Sequence, residues 1–526
     1  MTTQLPFDLP DQAPVEPVRT RPSREALLEG LNPSQRDAVI HAGAPLLVIA
    51  GAGSGKTRVL TRRIAWLISE RGAHPGSILA ITFTNKAAAE MRERVEELVG
   101  NRARIMWVST FHSACVRILR KEIDKFGFKS SFTIYDSADS KRLMTLVCRD
   151  QDLDQKRFQP RAILNWISNC KNQLIEPDQA VKDARNQQEE VYASAYVEYQ
   201  RRLRVANALD FDDLLTTTVY LMRAFPEVRE NWRRRFRHVL VDEYQDTNHA
   251  QYALVHELCA DPLEDTGEQR TPPAELMVVG DADQSIYAFR GANIANILDF
   301  ESDFPDAATI MLEQNYRSTQ TILTAANSVI SRNQGRKPKN LWSDAGEGAK
   351  IVGYVGDDER DEARFVAEEI DRLTDDGHAK AGQVAVFYRT NAQSRVFEEI
   401  FIRVGMPYRV VGGVRFYERR EVRDGLAYLR ALANPDDEVS LRRILNTPKR
   451  GIGERAEAAV DSFAKRESMT FWEALQRAEE APGIATRSLT CIRGFVDMMN
   501  ELGSMVAGGE RVDVILEHTL AKSGYL

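Results

Sequence analysis

Short apolar runs separated by amphipathic stretches organise the first half of the chain. Residues 46–49, 78–83, 105–108, 238–241 and 276–279 are continuous and mostly branched, the pattern of strands buried on both faces. Helical periodicity lies between them, which predicts βα units around a parallel sheet and an α/β fold. In LNPSQRDAV (31–39), Asn32 is placed as an N-cap and Pro33 as the first helical residue. From about 116 to 205 the pattern is helical and charged with no clear strand, as for an inserted helical domain. DPLEDTGEQRTPP (261–273) reads as a polar surface excursion. Strand signals return at 350–355 and 383–388 around a helical 360–373, predicting a second α/β unit, and from about 415 the chain is helical again. Residues 1–22 hold five prolines and no period, so a disordered leader is expected.

Composition narrows this picture. At 526 residues and 43% hydrophobic, the chain has material for several domains. Its five cysteines are scattered with no CxxC pair, which fits free thiols in a reducing cytosol and argues against a zinc site or disulfide framework. The chain opens with no signal-peptide pattern, and no apolar run approaches membrane-spanning length. With 70 Lys and Arg against 77 Asp and Glu, the net charge is −7, so any nucleic-acid surface must be local.

The chemistry begins where the first apolar run ends. Residues 50–57 read AGAGSGKT. Gly51, Gly53 and Gly55 let backbone N–H groups converge on an anion, with Ala52 and Ser54 between them. Lys56 can reach β- and γ-phosphates, and the Thr57 hydroxyl can ligate Mg²⁺. The helix opening with Arg58 points its positive end at the same place. Ala50 departs from the strict pattern, which has Gly there. In HVLVDEYQDTN (238–248), Asp242 and Glu243 fall at the tip of a short apolar strand. A carboxylate at such a tip beside a phosphate loop holds Mg²⁺, and an adjacent Glu can deprotonate the attacking water. Alone, an Asp-Glu pair after a strand is an ordinary solvated turn; the glycine-rich loop upstream makes ATP hydrolysis the reading.

An ordered series of motifs carries a resemblance. LNPSQ, AGAGSGKT, ITFTNKAAAEM (81–91), STFHS (109–113), DFDDLL (210–215), VDEYQDTN, VVGDADQSIYAFRGA (278–292) and LEQNYRS (312–318) are followed by YRTNAQSR (388–395), GGVRFYERREV (412–422) and TPKRGIGER (447–455). From about residue 30 to 526 the chain resembles the UvrD/PcrA/Rep group of superfamily 1 DNA helicases. The resemblance implies RecA-like P-loop NTPase motor domains with helical insertions: a first motor domain over 23–115 and 206–310, a helical insertion over 116–205, part of a second motor domain over 311–414, and an incomplete helical insertion over 415–526. Gln35 then corresponds to an adenine reader, Tyr316 to an aromatic stacked on adenine, and Arg317 to an arginine finger on the γ-phosphate. Gln284 would contact both the γ-phosphate and the attacking water. With Lys56, Glu243 and Arg317 it forms the expected catalytic set, ATP and Mg²⁺ being the cofactors.

Single-stranded DNA is held without sequence preference by aromatic stacking along a polar groove. The resemblance assigns Phe83, Phe211, Tyr287 and Phe289 to that role, with Asn85, His112 and Arg290 as polar partners. Phe289 stands where close relatives commonly carry Trp. Lys449, Arg450, Gly451 and Gly453 would present a hairpin to duplex phosphates at a single-strand/duplex junction. The implied activity is ATP-dependent 3′→5′ unwinding in DNA repair or replication, in the cytoplasm at the nucleoid, with repair or replication proteins and self-association on DNA as further expectations. The family's TxHxxKGLEF-type and GxTRA-type motifs do not occur before Leu526, so the expectation is a truncated form with impaired motor activity. The rival reading is an ATP-responsive DNA-binding module without processive unwinding. A small-molecule kinase would leave the aromatic series unexplained.

Overall fold

The computed structural model describes residues 22–260, 271–288, 291–333, 338–411 and 419–526. Residues 1–21 of the expected leader, most of the 261–273 excursion, Phe289, Arg290 and most of GGVRFYERREV lie outside the described residues. The chain divides into two compact units, Met1–Gly348 and Ala349–Leu526.

The first unit is built on the predicted parallel sheet. Its strands are β1 (Leu46–Ala50), β2 (Ile78–Thr82), β3 (Trp107–Thr110), β6 (His238–Val241), β7 (Glu275–Gly280) and β8 (Ala308–Leu312), while β4 (Thr133–Ile134) and β5 (Ala208–Leu209) pair separately. The six-stranded order is β3-β2-β6-β7-β1-β8, all parallel. Alternation along each strand feeds two cores. Leu47, Ile49, Leu79, Ile81, Val239 and Val241 face one cluster, and Leu46, Val48, Ala50, Ile78, Ala80 and Leu240 face the other. The register sets Ile49 beside Gly280 and Ile81 beside Val241, so the carboxyl ends of the central strands share one edge. Loops leaving that edge form the usual ligand crevice of an open α/β sheet.

Three expectations need correction. β3 starts at Trp107, because Ile105 is 54% exposed in the turn before it. β8 lacked a predicted strand and straddles the expected domain boundary between 310 and 311; it pairs with β1 along its whole length. The insertion is helical as expected, but Thr133 and Ile134 pair with Ala208 and Leu209, a bridge too short to leave a periodic signal.

In the second unit the helices Glu359–Asp375 and Ser394–Val404 pack around Ala363, Ala367, Ile370, Ile400 and Phe401. The strands expected at 350–355 and 383–388 are not formed: these segments carry no ladder hydrogen bonds, and Val355 and Phe387 are 95% and 92% exposed. A strand exists only through its partner, and neither segment pairs with another among the described residues. Residues 419–526 are helical as predicted, around a core including Tyr428, Phe463, Phe471 and Phe495. Among the described residues no helix is long and apolar enough to cross a membrane.

Candidate functional site

β1 ends at Ala50, fully buried as the last strand residue, so a methyl group is accommodated where the strict pattern has glycine. The chain then turns through 51–55 into the helix Lys56–Ser69. Gly53 has φ +69°, and a Cβ there would stand 2.6 Å from Asn315 Nδ2 and 2.8 Å from Arg317 Cβ. Ser54 Oγ donates to the Gly51 carbonyl at 2.8 Å, closing the loop on itself.

Two segments distant in sequence brace this loop. Asn32 and Gln35 form a capping box, each side-chain oxygen accepting from the other's backbone N–H. Gln35 Nε2 donates to the Ser54 carbonyl at 2.9 Å. The Gln35 amide, expected to meet adenine, is thus fully buried and engaged at both ends within the protein. From the other side, Asn315 Nδ2 donates to the Ala52 carbonyl at 2.5 Å and the Tyr316 N–H to the Gly53 carbonyl at 2.9 Å. Asn315 Oδ1 accepts from the N–H groups of Arg317 and Ser318, holding the turn that presents both candidate side chains. Tyr316 is half exposed, its hydroxyl donating to Gln314 Oε1 and accepting from Asn32 Nδ2, while Arg317 is exposed beside the loop.

Glu243 stands opposite the loop in the left-handed region, at φ +50°. Its Oε2 accepts from Lys56 Nζ at 2.8 Å and from Gln245 Nε2 at 2.9 Å. Burial, with the neighbouring Glu243 charge added, pushes the Asp242 carboxyl up to about 6. Gln245 Oε1 in turn accepts from the Asp281 N–H, and Gln284 Nε2 donates to Asp281 Oδ2. Lys339, buried, closes the cluster against Asp281 and, at 2.6 Å, Asp283. Lys56, Glu243 and Gln284 are therefore members of one hydrogen-bonded series. Gln245, Asn315 and Lys339 were missed by sequence reasoning; the first two sit inside motifs, whereas nothing local marks Lys339.

The metal expectation can be tested on the donor set. Among the described residues there is no cluster of three or more His, Cys, Asp or Glu able to hold a metal. Thr57 and Asp242 offer one hydroxyl and one carboxylate, the latter raised by burial and by the Glu243 charge. That fits a Mg²⁺ ion arriving with phosphate oxygens and water to complete its shell.

A second cavity, about 880 Å³, opens at the same sheet edge. Phe83, His112 and Tyr287 line it from the sheet side, and Arg161, Asn165 and Asn169 face them from the helix Pro160–Asn172 of the insertion. The Phe83 and Tyr287 rings lie 4.7 Å apart, and His112 lies 5.4 Å from Phe211, which is 53% exposed. Burial pushes His112 down to about 4, leaving it neutral at pH 7. Asn85 is exposed at the rim, with Thr110 and Ser113 hydroxyls 3.5 Å from its Oδ1. Two carboxyls in the wall, Asp212 and Asp246, are both pushed up to about 6, chiefly by burial. The structure thus brings Phe83, Asn85, His112, Phe211 and Tyr287 together, and adds an insertion-helix wall that sequence did not mark.

The 447–455 hairpin divides. Lys449, Gly451 and Gly453 are exposed ahead of the helix Glu454–Glu467. Arg450 turns inward instead, donating to the carbonyls of Ile444, Pro448 and Ser523 and to the Tyr428 hydroxyl. Its guanidinium is committed to holding the helical domain, which corrects its expected place on DNA.

Residues 31–305 match the model of the UvrD/REP helicase N-terminal domain, and residues 310–479 match the UvrD-like helicase C-terminal domain. Over 503 residues the chain is 61% identical to the ATP-dependent DNA helicase UvrD1 of Mycobacterium tuberculosis, covering 94% of this chain and 65% of that protein. It is 49% identical over 479 residues to the ATP-dependent DNA helicase PcrA of Bacillus subtilis, covering 91% of this chain and 63% of the relative. PcrA of Staphylococcus aureus is 47% identical over 502 residues, with 95% and 67% covered. The chain thus spans about 65% of the length of the first curated relatives it matches.

Proposed function

The chain belongs to the UvrD/REP helicase family, and from that premise we propose that it is an ATP-dependent DNA helicase that translocates 3′→5′ on single-stranded DNA. The observation that carries this reading is the series from Lys56 and Glu243 through Gln245 and Asp281 to Gln284, which lies three residues before Tyr287 in the aromatic groove. On this reading the loop's N–H groups take the phosphates, and Lys56 exchanges Glu243 for a phosphate oxygen. Thr57 and Asp242 would hold Mg²⁺, which would supply positive charge beside the phosphates. Glu243, released from Lys56, accepts a proton from the attacking water. Tyr316 stacks on the base, with Gln35 supporting the loop from behind, and Arg317 stabilises charge on the transferring group. Phe83, Phe211 and Tyr287 stack bases of single-stranded DNA, and Lys449 with the Gly451–Gly453 turn meets duplex phosphate. Such a protein would work on the nucleoid, in repair or replication.

A second reading, an ATP-responsive DNA-binding module, is favoured by one observation: 350–355 and 383–388 are not paired into a sheet, leaving the second unit's α/β part without strands among the described residues. One experiment addresses both. Steady-state ATPase with and without oligonucleotide is measured beside unwinding of a 3′-tailed duplex. DNA-stimulated turnover with unwinding supports the helicase; strand binding that responds to ATP without unwinding supports the module; absence of strand binding sinks both.

A further inference from the structure

Strand β3 is one of the two edge strands of the sheet, and a cationic cluster without ion pairs among the described residues lies against it. The Arg117 guanidinium lies 3.7 Å from the centroid of the buried Trp107 ring, and Arg235 approaches the same ring at 5.0 Å. Trp232, 5.4 Å from Trp107, carries Lys121 at 5.6 Å. Arg92 reaches across to donate to the Val108 carbonyl of the edge strand at 2.7 Å. All four cations are exposed, and none makes an ion pair among the described residues, whereas neighbouring Arg104 and Arg234 have Glu96 and Glu230. Burial first, then the charges of Arg235 and Arg92, push the Arg117 pKa down, as expected where like charges gather without a counter-ion.

The cluster is continuous with the groove. Ser113, beside Asn85 at the groove rim, begins the line Ser113, Arg117, Lys121 at i, i+4, i+8 on the helix Phe111–Glu122, about 12 Å of helix axis. Asn85 and Arg92, at i and i+7, share one face of the helix Asn85–Val99. Each line reaches the edge strand, Arg92 at the Val108 carbonyl and Arg117 on the Trp107 ring, so positive charge from both helices meets β3. The Trp107 ring holds the faces of the Arg117 and Arg235 guanidinium groups while both side chains stay exposed, so their N–H groups can serve phosphate. In a chain of net charge −7 such a concentration is local.

We propose that Arg92, Arg117, Lys121 and Arg235 form a phosphate track that carries single-stranded DNA beyond the aromatic groove along the outer edge of β3. This rests on the helicase reading. The test compares poly-dT oligonucleotides of about 6 and about 16 nucleotides, the shorter filling the groove alone. Their affinities are measured against salt for the unaltered chain, for Arg117→Gln/Arg235→Gln, and for Lys121→Glu, whose side chain is exposed. The expected result is a steeper salt dependence for the long oligonucleotide, reduced by about 1.4 in log–log slope in the double variant, with short-oligonucleotide affinity unchanged in both. Lys121→Glu should weaken only the long oligonucleotide, several-fold. Equal salt slopes for long and short oligonucleotides, or variants that leave long-strand binding intact, overturn the track while leaving the helicase reading standing. Failure of the unaltered chain to bind either length overturns both.

Discussion

Replacing Glu243 by Gln should separate nucleotide binding from hydrolysis, and the geometry sets the sign of both effects. Glu243 Oε2 is shared between Lys56 Nζ at 2.8 Å and Gln245 Nε2 at 2.9 Å. Lys56 must leave this carboxylate before its charge can serve a phosphate, so the ion pair competes with ATP. The two side chains are 11% and 33% exposed, intermediate between a surface and a buried pair. A pair so placed is worth at most about 1 kcal/mol, and an amide retains only a neutral hydrogen bond. Removing most of that competition should tighten ATP binding about two- to fivefold. The amide cannot accept a proton from water, so hydrolysis should slow by about 10²–10⁴-fold. Equilibrium titration with a fluorescent ATP analogue and single-turnover hydrolysis measure the two quantities separately. ATP bound tenfold more weakly, with the rate per bound nucleotide preserved, would refute both the competition and the base assignment.

Lys56→Ala should abolish turnover and leave strand binding largely intact, since the groove shares no side chain with Lys56; retained ATPase would count against the phosphate loop. Gly53→Ala should cost about 1–2 kcal/mol of stability from its φ of +69° and also lose nucleotide affinity by displacing Asn315 and Arg317. Gly43→Ala, at φ +91° with nothing within 4 Å, should show the strain in thermal denaturation without the affinity loss, and equal nucleotide affinities in the two variants would reject the steric argument. Asp242, pushed up to about 6, should give ATPase that falls as pH drops through that value, the midpoint moving lower as Mg²⁺ is raised. Because its folded pKa stands above the unfolded one, folding is favoured at low pH and loses that advantage as pH rises through 6. Asp242→Asn without nucleotide should therefore melt higher than the unaltered chain at pH 8 and no higher near pH 4; a lower Tm at pH 8 would contradict this.

What was legible in the sequence follows from which interactions are local. β1, β2, β6 and β7 are buried on both faces and read as unbroken apolar runs. β8 is an edge strand with an exposed Thr309, so its pattern is broken, and only its pairing with β1 defines it. The runs at 350–355 and 383–388 have strand composition without a ladder, which composition cannot report. The glycines, Lys56 and Thr57 were legible as one loop because they are contiguous in the turn between β1 and the helix Lys56–Ser69. Arg450 and Gln35 were legible by motif yet misplaced in detail, since their hydrogen-bond partners come from elsewhere in the chain. Lys339 reaches Asp281 and Asp283 across more than fifty residues, and no periodicity records such a pair.

Those long-range contacts bear on how ATP and strand could communicate. Asp281 is 1% exposed and wholly divided: its N–H goes to Gln245, one carboxylate oxygen to Gln284 and the other to Lys339. A buried carboxylate with every position taken resists small displacement, because each lost partner leaves an unsatisfied charge. Movement of Gln245 is therefore passed to Asp281 and on to the segment carrying Gln284 and Tyr287. Gln245 shares its acceptor, Glu243 Oε2, with Lys56, so transfer of Lys56 to a phosphate removes one of two donors from that oxygen. On the proposed mechanism the Lys56–Glu243 contact would have two arrangements, closed as seen here and opened by phosphate, and Tyr287 stands at the far end of the series it would bias. Phe83 packs directly on Tyr287 at 4.7 Å, so a shift of that segment alters the stacking surface itself rather than a remote support.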